Sequence, residues 1–173
     1  MATPLADRIK AEFDAQQKRA GAVQQDRANQ LKERDQRLAQ FEKVCDSLKD
    51  VWRPRFEEFA KQFGDKIKIT PKVTPSQRDA TIAFMTDLAN ITLTLTVAPN
   101  SDVTKLILDY DLLILPMLME YERHARFEAP LDKVDRNAVG AWIDDRLISC
   151  VKTYLALGEN EFYLKRRADA KSA

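Results

Sequence analysis

From Leu5 to about Phe63 the chain carries a single glycine, few β-branched residues and many Ala, Gln, Lys, Arg and Glu, which predicts one extended helical region. Its second part is striped. Leu38, Phe41, Cys45, Leu48, Trp52, Phe56, Phe59 and Phe63 advance by three or four residues at every step, so they share one helix face, and that face must be buried. A thinner stripe begins the chain with Leu5, Ile9 and Phe13 and continues through Ala20, Val23 and Leu31 among charges and glutamines, so the first forty residues have little to anchor them. Pro54 stands inside the apolar stripe, where it removes an amide donor and crowds the carbonyl four residues back. A kink or a break is therefore expected near residues 50–53, giving one bent helix or two. Gly64 supplies the C-terminal cap.

Beyond Gly64 the apolar period shortens to two, the sign of strands with one buried face. Ile67, Ile69 and Val73 alternate with lysines, Ala80, Ile82 and Phe84 with Thr81 and Ala83, and Ile91, Leu93, Leu95 and Val97 with Thr92, Thr94 and Thr96. Short turns at 74–76, 87–90 and 99–102 favour an antiparallel meander. In 103–115, Leu106, Leu108, Tyr110, Leu112 and Ile114 define one face. Ile107, Leu113 and Leu115 make the other partly apolar, which predicts a strand covered on both sides in its second half. Pro116 should end its ladder, and 117–128 could continue as an irregular strand. Asp132 or Asp135 can cap a last helix over 136–157, whose apolar face holds Val139, Trp142, Ile143, Leu147, Cys150, Val151, Tyr154 and Leu155, with Gly158 placed to stop it. The expected organisation is a helix over 1–64 with its apolar stripe at 38–63, a sheet plus helix over 65–164, and a basic, frayed tail over 165–173.

Composition narrows the function classes. A charged fraction of 32% beside a hydrophobic fraction of 45% is that of a folded domain, and a formal net charge of +1 gives no general field for nucleic acid or an anionic membrane. The first ten residues reach charges at once and lack a secretory h-region. The most apolar stretch, 106–119, is broken by Asp109, Asp111 and Pro116. A soluble, cytoplasmic protein that binds neither membrane nor nucleic acid is expected. Cys45 and Cys150 both fall on apolar helix faces, where a buried reduced thiol is expected in preference to a disulfide.

The segments Leu131-Asp132-Lys133-Val134-Asp135, Trp142-Ile143-Asp144-Asp145-Arg146-Leu147, Lys152-Thr153-Tyr154-Leu155 and Glu159-Asn160-Glu161-Phe162-Tyr163-Leu164, with Asp109-Tyr110-Asp111-Leu112 and Ile114-Leu115-Pro116 before them, carry a resemblance. This stretch, about residues 90 to 164, resembles the one that precedes the YHS domain in bacterial proteins of planctomycete type. In those proteins a cysteine-containing metal-site motif follows the Tyr-Leu pair. No such motif occurs here through Ala173, so the resemblance implies a shared fold and transfers neither a metal role nor a catalytic residue.

Candidate chemistry is sparse. The one histidine, His124, excludes any site needing two imidazoles, although Glu120, Glu122 and His124 would share a strand face and could hold a metal. Asp109 and Asp111 could act as paired carboxylates, or coat the solvent side of a strand and pair with basic residues; Asp144, Asp145 and Arg146 read as helix-to-sheet salt bridges. The four glycines form no phosphate-binding loop, and neither cysteine has a histidine near it in sequence. Lys165, Arg166, Arg167 and Lys171 beside Phe162 and Tyr163 read as a solvated tail. No catalytic residue, cofactor or metal ligand is assigned.

The expected fold is α+β: a long kinked N-terminal helix, a four-stranded antiparallel β-meander, and a C-terminal helix packed on the sheet. The favoured function is a non-catalytic interaction or assembly module that forms a homodimer, by coiled-coil pairing, or docks on a partner protein. Its interaction face is Leu5, Ile9, Phe13, Ala20, Val23 and Leu31. The alternative is a binding protein for a small apolar ligand, held between sheet and helices near Leu108, Tyr110, Trp142 and Tyr154. A tightly filled core would exclude that alternative.

Overall fold

The computed structural model of the protein describes residues 4–172, with side chains described for 4–158. The elements run α1 (Leu5–Phe63), a single 3-10 turn (Gly64–Lys66), β1 (Ile67–Thr74), β2 (Gln77–Phe84), β3 (Asn90–Pro99), β4 (Lys105–Leu115), β5 (His124–Pro130) and α2 (Arg136–Ser172). The chain forms two compact units, Met1–Ala39 and Gln40–Ala173.

The first unit is helical from Leu5, and its large apolar side chains, Leu5, Ile9, Phe13, Val23 and Leu31, are all exposed. The second unit has two layers. Its sheet is an antiparallel meander in the order β1-β2-β3-β4-β5, so five strands stand where four were expected. The fifth, β5, pairs with β4 from Lys105↔Pro130 to Asp111↔His124. Its sequence, HARFEAP, holds one large apolar residue and so gives a faint alternation; the open ladder of β4 is what draws it into the sheet.

Register carries the buried face across the strands. Ile67, Phe84, Ile91 and Ile114 form one row, and Ile69, Ile82, Leu93 and Leu112 the next. Over this face lie the second part of α1, which buries Phe41, Cys45, Leu48, Val51 and Phe59, and α2, which buries Val139, Ile143, Leu147 and Cys150. The alternate residues of β4 remain open: Leu113 and Leu115 are 52% and 53% exposed, so the expected cover on both faces is absent. Hydrophobic alternation reports which residues could be buried, and among the described residues nothing lies over Leu113 and Leu115 to bury them.

Helix limits also depart from expectation. α1 runs through Pro54 as one helix, so the break does not occur. The buried anchors Val51 and Phe59 on either side of Pro54 hold the two turns on the sheet despite the missing amide. At the other end Gly64 takes a φ of 56°, the left-handed conformation that only glycine adopts cheaply, and turns the chain into β1. Asp135 caps α2, its carboxylate accepting from the amide of Asn137 at 2.9 Å. α2 passes through Gly158, the expected stop, to Ser172. One glycine costs a helix only about 1 kcal/mol. The side chains of Phe162, Tyr163, Lys165, Arg166, Arg167 and Lys171 lie outside the described residues. Among the described residues no helix is long and apolar enough to cross a membrane.

Candidate functional site

Large residues fill one end of the buried face, where Phe59, Phe63, Phe84 and Tyr154 form an aromatic cluster. Phe63 and Tyr154 lie 5.2 Å apart between ring centroids, and Phe63 and Phe84 5.3 Å. Toward the other end lie two further rows. Pro71, Ala80, Leu95, Tyr110 and Ala125 form the third, and Val73, Arg78, Val97, Leu108 and Phe127 the fourth. Ala80 and, on α1, Ala60 are among the side chains that border an open cavity of about 650 Å³.

The floor of this cavity is Ile69, Pro71, Ala80, Leu95, Val97 and Leu108. Its roof is Trp52, Phe56 and Ala60 of α1 with Trp142 and Ile143 of α2. Charged residues line it as well: Lys49, Arg53 and Glu57 on α1, Lys72, Arg78 and Asp79 on the hairpin of β1 and β2, and Asp109 on β4. Both tryptophans of the chain are therefore on its wall. A volume of this size, mostly apolar with a few polar groups, falls within the range of about 300–1,000 Å³ typical of small-molecule sites. The core on this side is not tightly filled.

Of the four residues expected to line a pocket, Leu108 and Trp142 do so together. Tyr154 belongs to the aromatic cluster and borders a second opening of about 660 Å³ between α1 and α2. Tyr110 is fully buried in the core, and its hydroxyl has no hydrogen-bond partner of normal geometry. Burial raises the pKa of that hydroxyl well above the ordinary phenol value. Arg78 and Ala80 were not legible as pocket residues, because a small or charged side chain in an alternating run looks like a weak strand position and only register shows what faces it, and Ala60 reads as an ordinary helix-former.

The other candidates are accounted for by local pairing. Arg126 clamps Asp109 with two hydrogen bonds, Nε to Oδ1 at 2.7 Å and Nη2 to Oδ2 at 3.0 Å, and His124 Nδ1 lies 2.8 Å from Asp111 Oδ1. Asp109 borders the cavity from β4 and is held there by Arg126, a pairing that raises the pKa of Arg126. Glu122 points to α2, taking Arg146 and, at 3.0 Å, the Ser149 hydroxyl. Glu120, Glu122 and His124 do not come together. Among the described residues no group of three or more His, Cys, Asp or Glu side chains is placed to hold a metal.

Asp144 pairs with Arg55 of α1 at 2.8 Å, a helix-to-helix bridge and not the expected bridge to the sheet. Cys45 and Cys150 are free and buried; burial pushes their thiols up to about 11 and about 12, so both stay protonated at neutral pH. The face Leu5, Ile9, Phe13, Ala20, Val23 and Leu31 lies wholly within the first unit and is exposed throughout. Comparison with family models, with characterised proteins and with solved structures gives no match.

Proposed function

We propose that this protein is a non-catalytic binding protein that takes a small apolar ligand into the cavity between its sheet and helices. The observation that carries the reading is the unfilled space under Trp52, Phe56 and Trp142, where close packing is the rule for a protein interior. Two features support the absence of catalysis: the thiols are held protonated by burial, and the single imidazole is engaged by Asp111. Binding is read directly by tryptophan emission, since both indoles face the ligand. Titration with 1-dodecanol below its solubility limit should give a saturable change in the full chain and none in an Ala80→Leu variant, whose larger side chain occupies the space. A filled variant that binds as well as the parent would place the ligand elsewhere and end this reading.

A second reading has its own observation. Leu5, Phe13 and Leu31 are 71%, 68% and 64% exposed on a helix segment that buries little else, which favours self-association of the N-terminal helix as a homodimer or its docking on a partner protein. Light scattering across a dilution series, on the full chain and on one beginning at Asp35, tests it. A dimer that becomes a folded monomer on truncation supports the reading; two monomers of equal stability remove it.

A further inference from the structure

We infer that the ligand of the cavity is a single-chain amphiphile with an anionic head group, a long-chain carboxylate in the simplest case, and that Arg78 receives the head while the tail lies under the two tryptophans. The inference rests on the ligand-binding reading above and adds the chemical class.

Arg78 occupies a row of the sheet face that is otherwise apolar, between Val73 on β1 and Val97 on β3, with Leu108 and Phe127 beyond. A guanidinium placed there is half-buried on the cavity wall. Its charge reaches Asp46, which pairs with Lys49 at 2.8 Å, so the guanidinium keeps no ion-pair partner of its own. It donates to the backbone carbonyl of Thr74, and at 3.2 Å to that of Gln77, and among the described residues no carboxylate lies within ion-pair distance.

The carboxylates near the cavity are already engaged. Glu57 pairs with Arg53 at 3.5 Å, Asp79 accepts from the Gln77 amide at 2.8 and 2.7 Å, and Asp109 is held by Arg126 at 2.7 Å. Lys49 is satisfied by Asp46 at 2.8 Å. A half-buried cation without an anionic partner, next to an apolar space, is complementary to a ligand that brings its own negative charge and an apolar body. A guanidinium holds a carboxylate through more than one N–H, which fixes the head at the mouth and directs the tail inward.

The test uses the full chain and three probes of equal tail length: dodecanoate, 1-dodecanol and dodecyltrimethylammonium, each below its micellar concentration. Tryptophan emission reports binding. Dodecanoate should bind more tightly than the alcohol, and the ammonium probe most weakly. Arg78→Gln should weaken dodecanoate about tenfold or more, the effect of losing a charge-assisted hydrogen bond, while the alcohol changes by less than about twofold. Arg78→Lys should recover part of the loss. The alcohol arm also shows that the variant still forms the cavity.

Each contrary result is decisive in its own way. Equal binding of all three probes, or dodecanoate affinity untouched by Arg78→Gln, overturns the anionic head group and leaves the apolar site standing. Preferential binding of the ammonium probe overturns it likewise. If no probe changes the emission of the parent protein, the ligand-binding reading itself fails. If emission changes with protein dilution alone, a second copy of the chain covers the cavity, and the amphiphile is overturned.

Discussion

Arg55 of α1 grips the carboxylate of Asp144 in α2 from both sides, Nε to Oδ1 at 2.8 Å and Nη2 to Oδ2 at 3.2 Å. The same guanidinium donates through Nη1 to the carbonyl of Val51 at 2.6 Å, one turn back along α1. Gly140 makes room for it: a Cβ there would stand 2.6 Å from Nη2. The bridge, the turn of α1 around Pro54 and a glycine in the first turns of α2 are thus one arrangement.

That arrangement predicts a sign that depends on background. In a helix Ala is better than Gly by about 1 kcal/mol, but at position 140 it displaces Arg55 and weakens a pair that is only partly buried, a loss of about 1–2 kcal/mol. Gly140→Ala should therefore be neutral or destabilising in the parent and stabilising by about 1 kcal/mol in an Arg55→Ala background. Urea unfolding of the four proteins measures the coupling. Identical effects in both backgrounds would show that Arg55 does not need the space.

The turn between β3 and β4 depends on Asn100. Its side-chain oxygen accepts from the amides of Thr104 at 2.8 Å and Lys105 at 2.9 Å, and the turn so fixed holds Val103 at a φ of 55°, costly for a β-branched residue whose side chain is buried. Asn100→Ala should destabilise by about 1–2 kcal/mol, although the residue sits at the surface. A loss below a few tenths in thermal or urea unfolding would show that burial of Val103 holds the turn unaided.

Tyr110 makes the opposite case. Its hydroxyl is buried without a partner of normal geometry. Tyr110→Phe keeps the ring and removes an unsatisfied group, so stability should hold or rise by up to about 1 kcal/mol. A clear loss would mean that the neighbouring Cys150 thiol is a better partner than its geometry shows, and unfolding of Cys150→Ala would then reveal it.

The thiols predict a pH dependence. Burial raises Cys45 to about 11 and Cys150 to about 12, above the value of 9.0 for a free thiol. A folded pKa above the unfolded one means that the stabilisation is complete below about pH 8.5 and is lost as pH rises toward the folded values. Compared with the Cys45→Ala/Cys150→Ala double variant, the parent should lose about 3 kcal/mol between pH 8 and pH 10, at about 1.4 kcal/mol per unit for each thiol past its unfolded pKa. A gap that stays constant with pH would show that the thiols ionise in the folded protein as easily as in the unfolded one.

What the sequence determined by itself was whatever local forces decide. Ala, Gln, Glu, Lys and Arg make α1 helical turn by turn, and alternating Ile, Leu and Thr make β3 a strand with one buried face. Gly64 and the Asn100 turn punctuate the chain by their own backbone chemistry.

Tertiary structure decided the rest, because the competing terms there belong to distant residues. β5 has too few apolar residues to announce itself and exists because β4 offers unpaired amides and carbonyls. Gly158 fails to end its helix because one glycine costs only about 1 kcal/mol, and Pro54, at about 3 kcal/mol, is carried by the buried Val51 and Phe59 on either side of it. Leu113 and Leu115 look like core and are exposed because, among the described residues, no layer covers them. The cavity is the clearest instance. Nothing about Ala60, Arg78 or Ala80 taken singly marks a site, and only the register of β1 to β4 beneath α1 brings two small side chains and a half-buried guanidinium to the same space.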